Sequence, residues 1–512
     1  QAMHELVLIL DFGSQYTQLI ARRIREEQVY CRIERSDLSA TEIQSMGAKA
    51  LVLSGGPNSI FEEQAPQVDP AIFELGIPIL GVCYGLQIMT QHFKGNVIPG
   101  ETREYGPMGI QFPTQSPLLE GVSEGSQVWM SHGDHVETIP ENFNIIARSS
   151  GDLIAGISNQ SKALYGVQFH PEVNHTVQGQ TIISNFLFKI ADFSRDWTSS
   201  SFVEDAIKEI QTTVGDGKVL LGLSGGVDSS VLAFLMHEAI GGNCVPVFIN
   251  NVLLRQHETE EVKSLFKASH VKIYQHDYTE AFLSELKGVT EPEKKRKIIG
   301  RVFIEAFEEV AREIEGIDFL AQGTLYPDVI ESGAITGHAV TIKSHHNVGG
   351  LPDKMSLKVI EPFKELFKDE VRAVGRVLNV PKKIIGRHPF PGPGLAVRCL
   401  GAVSEDRLSI LRAADQIFID TLYETGWYDK IWQAFTVLLP IQTVGVMGDK
   451  RTYENVLAIR AVHSLDGMTA DWVRIPYEII ADISSKIVNS VSGVNRVVYD
   501  VTSKPPGTIE WE

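Results

Sequence analysis

The stretch 218–230, Lys-Val-Leu-Leu-Gly-Leu-Ser-Gly-Gly-Val-Asp-Ser-Ser, narrows the possible folds more than any other part of the chain. Its first six residues read as a short buried strand, a Ser/Gly loop follows, and Ser-Ser-Val-Leu-Ala-Phe-Leu-Met at 229–236 opens a helix. A strand that turns through glycines into a helix N-terminus makes an anion site. Gly225 and Gly226 allow close backbone approach and positive φ, and the free N–H groups and dipole of the helix start favour phosphate. The spacing lacks the lysine of the common ATP-binding loop. Asp228 stands there instead, and its carboxylate would repel pyrophosphate unless a divalent cation intervened. Ser224, Gly225, Gly226, Val227, Asp228, Ser229 and Ser230 are therefore expected to cradle the phosphates of ATP, with Mg²⁺ partly held by Asp228.

At 512 residues the chain exceeds what one hydrophobic core organises. Its 43% hydrophobic and 21% charged residues are ordinary for a globular protein. Lys and Arg number 46 against 64 Asp and Glu, a net charge of −18, which argues against a nucleic-acid or anionic-membrane surface. Anionic substrates must then be held by local devices. Cys31, Cys83, Cys244 and Cys399 are scattered, with no CxxC pair, so neither a disulfide framework nor a zinc site is expected and a reducing cytoplasm fits best. No apolar run approaches the ~20 residues of a membrane span. The first residues lead straight into a strand, and no signal peptide is expected.

Strand-like runs at 6–10, 50–53 and 78–82 alternate with helical periodicity, as at 15–27, and the first two end in Asp-Phe-Gly-Ser and Ser-Gly-Gly-Pro. This implies an open α/β sheet with ligands at the carboxyl ends of the strands. Gly-Val-Cys-Tyr-Gly at 81–85 places Cys83 between glycines at a strand-to-helix turn, which is the logic of a nucleophile elbow. Alone, such a cysteine reads first as a buried structural residue at the end of an apolar strand. Gly-Val-Gln-Phe-His-Pro-Glu at 166–172 alters that balance, because His170 can take a thiol proton and Glu172 can orient the imidazole.

Together with Gly-Val-Cys-Tyr-Gly-Leu-Gln and Ser-Gly-Gly-Pro, these residues resemble the class I glutamine amidotransferases over about residues 5–190. The resemblance implies glutamine hydrolysis by Cys83, His170 and Glu172. It also places Gly55, Gly56 and Tyr84 in the oxyanion-hole region, and implies that Gln87, His132, Gly133 and Asp134 help recognise glutamine. His132 and His135 find no third partner in the sequence, and no metal is expected there.

The polar, serine-rich stretch 192–201 marks a domain boundary, followed by an amphipathic helix over 202–214. Ser-Gly-Gly-Val-Asp-Ser after its strand resembles the loop of the N-type ATP pyrophosphatases, which adenylate an oxygen and release pyrophosphate. Asn250 and Val252 depart from the Asp and Gly usual in that family's next segment, which puts any metal or close-backbone role there in doubt. The basic run 294–297 reads first as a solvated helix face, and it also matches a substrate-phosphate segment. Asp328 and Glu331 are three apart, so one helical turn would set both carboxylates on one side for metal or substrate handling. The stretch 342–352, with two glycines and little periodicity, reads as a mobile lid whose Lys343 can neutralise ATP phosphate. His-Pro-Phe-Pro-Gly-Pro-Gly at 388–394 marks a second boundary, and the Pro-Pro-Gly and Ile-Glu-Trp of the ending suggest a docked tail.

Taken whole, the chain resembles the glutamine-hydrolysing GMP synthetase family. The implied fold is α/β: two open, mostly parallel-sheet domains (5–192 and 202–395) and a smaller α+β dimerisation domain (396–512). The resemblance implies ATP, glutamine and xanthosine monophosphate (XMP) as substrates, Mg²⁺ as cofactor, a homodimer, and XMP contacts from Arg296, Gly392, Lys504 and Glu510. The residues by themselves leave open another glutamine-dependent adenylating ligase with a different acceptor.

Overall fold

The computed structural model describes residues 4–101, 104–332, 357–465, 467 and 469–512; the expected lid over 342–352, with Lys343, lies outside them. Among the described residues the chain divides into two compact units, the first covering 4–202 with 329–332 and the second the remainder from Val203. The serine-rich stretch before this division is not a loop throughout. A helix, Ser199–Val214, starts inside it.

In the first unit, nine strands among the described residues form one sheet. Their order is Tyr30–Arg35, Leu6–Asp11, Ala48–Leu53, Ile79–Val82, Leu164–Val167, Ile154–Asn159, Asn144–Ser149, Glu104–Gln111, Gln127–His132. The first five are parallel and the rest pair antiparallel. Leu6 to Leu10 are buried on both faces, as a continuous apolar run requires in a covered parallel sheet. Helix Thr17–Glu26 packs through Ile20, Ala21 and Ile24, one turn apart on one face. The parallel strands Ala48–Leu53 and Ile79–Val82 end side by side, which brings the glycines after Leu53 next to Cys83.

The second unit carries a five-stranded parallel sheet in the order Tyr274–Asp277, Cys244–Asn250, Lys218–Leu223, Ile317–Ala321, Lys358–Ile360. Helix Val227–Ile240 is apolar nearly all round and buried from Val231 to Met236. Helix Pro292–Glu313 approaches the sheet at Gly222, where a Cβ would stand 2.7 Å from the Phe307 ring. A long hairpin, Gln433–Met447 with Lys450–His463, pairs with Asp471–Trp472 and, in parallel, with Val494–Tyr499. One buried apolar cluster runs from Leu220, Val247 and Phe307 through Leu411 and Phe418 of helix Glu405–Glu424 to Leu438, Leu457 and Ile483. The two sheets of this unit thus share a core. Among the described residues no helix is long and apolar enough to cross a membrane.

Candidate active sites

Cys83 lies between strand Ile79–Val82 and helix Tyr84–His92 with φ +52°, the left-handed region a side chain rarely adopts. The glycines around it are sterically required. A Cβ on Gly81 would stand 2.7 Å from the backbone of Gly85, and one on Gly85 would stand 2.4 Å from the Leu53 carbonyl oxygen. Helix and strand therefore approach backbone to backbone, and the turn has no option but to present the thiol.

His170 follows strand Leu164–Val167, and its Nδ1 lies 2.7 Å from Glu172 Oε1. Both side chains are buried, at 4% and 0% exposure. The His170 carbonyl accepts from Thr176 Oγ1 at 2.5 Å, and Arg23 Nε donates to the Glu172 carbonyl at 3.0 Å. Burial alone would lower the His170 pKa. The Glu172 charge and hydrogen bonding to Cys83 prevail and raise it well above 6.5. The imidazolium and the Glu172 carboxylate thus form a buried, charge-assisted hydrogen bond.

Gly55 closes the gap, since its Cβ would lie 3.0 Å from His170 Cε1 and 3.5 Å from Cys83 Cβ. Gly56 is forced by the Phe12 carbonyl oxygen, 2.4 Å from where a Cβ would sit. The Tyr84 hydroxyl donates to the Pro66 carbonyl at 2.7 Å, and burial pushes its pKa up to about 12. The polar contribution of Tyr84 to an oxyanion site is therefore its N–H at the helix start. Gln87 donates to the Asp134 carbonyl at 3.1 Å, Asp134 Oδ2 accepts from Ser59 Oγ at 2.5 Å, and the Ser131 carbonyl lies 3.9 Å from Cys83 Sγ. Gly133 lies in the same turn. His132 Nδ1 is 2.9 Å from the Asp134 carbonyl and its Nε2 is 3.5 Å from Glu104 Oε1; burial lowers its pKa. The expected glutamine-recognition residues thus form one wall beside the thiol.

In the second unit, Ser224 N donates to Ser229 Oγ at 3.0 Å, and Gly226 N donates to Ser224 Oγ at 3.3 Å. Gly225 has φ +82°, which glycine alone adopts at ease. The helix starts at Val227, two residues earlier than the sequence pattern indicates, so Asp228 stands in its first turn. Ser230 is buried, its N–H on the Gly226 carbonyl at 3.2 Å. Asp228 Oδ1 meets Lys368 Nζ at 2.8 Å, and Arg387 Nη1 donates to the Gly225 carbonyl at 2.7 Å. Asn250 Oδ1 accepts from Thr259 Oγ1 at 2.9 Å, a local use for the residue that replaces the family's Asp. Asp328 and Glu331 share helix Tyr326–Glu331, and Asp328 Oδ2 accepts from Leu325 N at 3.0 Å.

The basic run is a solvated face at Lys294 and Lys297 only. Lys295 is completely buried, donating to the carbonyls of Ala396 and Cys399 at 3.1 and 2.9 Å and to Glu512 Oε2 at 2.8 Å. Arg296 Nη2 donates to the main-chain oxygen of Glu512 at 2.5 Å. Glu510 receives Arg398 Nη2 at 2.8 Å and Gln433 Nε2 at 2.9 Å, and Gln433 also reaches the Pro389 carbonyl at 3.3 Å. The tail is docked, and Gln433 links its Glu510 to Pro389, three residues before Gly392. Lys504 bonds elsewhere, to the Gly467 carbonyl at 2.8 Å and, through its backbone, to Ala470. Among the described residues no group of three or more His, Cys, Asp or Glu side chains is placed to hold a metal.

Sequence reasoning missed Gln168, Ser59, Thr176, Lys368, Arg387, Arg398 and Gln433. Gln168 lies inside the 166–172 motif, and Arg387 directly precedes the one at 388–394. No local signal marks Lys368.

A thiol elbow with its own histidine and carboxylate, in a chain that also has an Asp-bearing phosphate loop, defines an amidotransferase coupled to an ATP pyrophosphatase. Residues 8–190 match the family Glutamine amidotransferase class-I, 199–299 match NAD synthase and 420–511 match the GMP synthase C terminal domain. Over 99% of both chains, this one is 54% identical to GMP synthase (glutamine-hydrolyzing) of Maridesulfovibrio salexigens and 53% identical to that of Aquifex aeolicus. The chain belongs to the glutamine-hydrolyzing GMP synthases, ATP-using ligases that take the new nitrogen of GMP from glutamine.

Proposed function

We propose that Cys83, with His170 as base and Glu172 as its orienting carboxylate, releases ammonia from glutamine. The second unit would use ATP to adenylate the C2 oxygen of XMP. Cys83 attacks the side-chain amide, N–H groups near Gly55, Gly56 and Tyr84 receive the oxyanion, and His170 returns the proton to the departing ammonia. In the second unit the purine oxygen attacks the α-phosphorus, pyrophosphate leaves, and ammonia then displaces AMP, a far better leaving group than hydroxide. The observation that carries this reading is the strained Cys83 turn beside the 2.7 Å His170–Glu172 pair.

Mg²⁺ fits the glycine loop. It commonly keeps one or two protein carboxylates and fills its shell with phosphate oxygens and water, so a lone Asp228 beside a phosphate cradle suffices. When bound it supplies countercharge to the pyrophosphate. The first-turn N–H groups after Gly226 orient the phosphates, and Lys368 adds positive charge beside them. Arg296, Gly392, Lys504 and Glu510 are assigned to XMP, and Asp328 and Glu331 to the adenylation site. The three functional segments are 5–192, 202–395 and 396–512. Four free, buried cysteines support a reducing cytoplasmic setting.

The test is to supply ATP, Mg²⁺, XMP and glutamine, omit each in turn, and follow GMP and pyrophosphate. Cys83→Ala is expected to lose glutamine-dependent GMP formation and keep formation from added ammonium. Loss of both would reject the division of labour.

A homodimer through the C-terminal hairpin completes the proposal. Beyond Leu438 the hairpin lies open on both faces, exposing Ile441, Val444, Val446 and Tyr453, with Val444 opposite Tyr453. Exposed apolar residues on adjacent strands are the material of a subunit contact. Val444→Asp is expected to halve the mass in solution, as read by light scattering.

A further inference from the structure

We propose that Gln168 is a further catalytic residue of glutamine hydrolysis, its side-chain amide donating a hydrogen bond to the sulfur of Cys83. The inference rests on the reading of Cys83 as the nucleophile. Gln168 is completely buried in the residue after strand Leu164–Val167, and its N–H is fixed on the Ala155 carbonyl at 2.8 Å. Its Nε2 lies 3.5 Å from Cys83 Sγ.

The direction of this amide follows from its neighbours. The Asp134 carbonyl can only accept, so the Gln87 side chain must turn its NH₂ group toward it, at 3.1 Å. The same Gln87 nitrogen faces Gln168 Oε1 at 3.5 Å, which leaves the Gln168 NH₂ directed at the sulfur. One carbonyl thus orders a relay, Asp134 to Gln87 to Gln168, that ends on the nucleophile. The relay begins in the turn expected to contact glutamine.

The chemistry gives the bond a use at two stages. Before attack, an N–H aimed at sulfur favours thiolate over thiol, because bonds to a charged acceptor are the stronger ones. On attack the sulfur electron pair goes into the new C–S bond, and the amide π electrons go to oxygen. Their return breaks the C–N bond, the nitrogen leaving as ammonia with the proton from His170, and a thioester remains. When water then adds, giving a proton to His170, the C–S bond breaks, glutamate leaves and the electron pair returns to sulfur. The Gln168 N–H then meets the re-formed thiolate.

The experiment uses the full chain with Gln168→Leu, which keeps bulk and removes the donor, and Gln168→Glu, which presents an acceptor. Iodoacetamide labelling of Cys83 across pH, read on its own peptide by mass spectrometry, reports the thiolate directly. Gln168→Leu is expected to move the labelling midpoint up by about one pH unit or more, and to lower kcat for glutamine hydrolysis roughly ten- to hundredfold. KM for glutamine should stay within about twofold of wild type. Gln168→Glu is expected to move the midpoint further in the same direction. An unshifted midpoint in both variants, or a change confined to KM, overturns the assignment. If Gln168→Leu does not fold, the size-matched Gln168→Glu decides alone. Cys83→Ala separates the two readings. Wild-type hydrolysis by Cys83→Ala rejects the nucleophile itself, whereas a dead Cys83→Ala beside normal Gln168 variants rejects only the relay.

Discussion

His170 is where burial and charge oppose each other most directly. Taking an imidazolium out of water should expel its proton, yet Glu172 at 2.7 Å and the hydrogen bond to Cys83 hold it, so the folded-state pKa is raised well above 6.5. A raised pKa means the folded chain keeps a proton that the unfolded chain releases. The stabilisation is fully present below about 6.5 and is lost as pH rises through the folded value. Glu172→Gln removes the charge that sustains this shift while keeping the shape. Thermal unfolding of the first unit should therefore show a gap between wild type and Glu172→Gln that narrows as pH climbs above 6.5. A gap constant with pH would mean that the carboxylate does not set the histidine's charge. Cys83 illustrates the complementary point. Its φ of +52° costs about 1–3 kcal/mol in an ordinary residue, and such strain persists only where neighbours enforce it. The backbone contacts at Gly81 and Gly85 are those neighbours.

At the scale of elements, the glycine loop of the second unit is held from behind. Arg387 donates to the Gly225 carbonyl, lies 3.5 Å from Glu258 and 3.3 Å from Glu261, and has its own carbonyl bonded by Arg372 at 3.2 Å. In a trans peptide the carbonyl and the following N–H point opposite ways. Fixing the Gly225 carbonyl on Arg387 therefore fixes the Gly226 N–H on the other side, where it donates to Ser224 Oγ and holds the turn in shape. Arg387→Gln should lower XMP-dependent pyrophosphate release by ~10²-fold, as small misplacements of a reacting group do, with Arg387→Lys intermediate. An unchanged rate would show that the loop holds its shape unaided. This clamp also marks the limit of reading by pattern. The elbow, the phosphate loop and the His-x-Glu pair are each encoded within a dozen residues, so spacing reveals them. Arg387 reaches Gly225 across 162 positions and Lys368 reaches Asp228 across 140, and nothing local to either records the partner. The basic run misled for a related reason. Helical period places Lys295 on the inward face of helix Pro292–Glu313, but only the tertiary arrangement supplies the carbonyls and the carboxylate that make its burial tolerable.

At the scale of the whole second unit, the C-terminal tail neutralises cations that the core has already enclosed. Lys295, Arg398 and Arg460 are each 0% exposed. Glu512 answers the first and Glu510 the second. Arg460 binds the Ile509 and Thr508 carbonyls at 3.3 and 2.9 Å and pairs with Asp500 at 3.3 Å. Arg398 also lies 4.1 Å from the Phe435 ring centroid, so its guanidinium has an apolar wall on one side and the tail carboxylate on the other. Removing one partner of a fully buried pair costs about 3–5 kcal/mol, because the remaining charge stays desolvated. The cost should be smaller here, since Glu510 keeps 19% side-chain exposure and water can follow the loss. Deleting the last three residues should then do two separable things. It should lower the unfolding temperature of the second unit by several degrees, and it should raise the KM for XMP, because Glu510 and the Glu512 main-chain oxygen that anchors Arg296 are gone. The conservative Glu510→Gln tells these apart. It keeps the tail length and the Glu512 contacts, so its thermal loss should be the smaller while its XMP KM still rises. If Glu510→Gln matches wild type in KM while the deletion raises it, the tail acts by closing the core, and Glu510 has no direct part in holding the nucleotide.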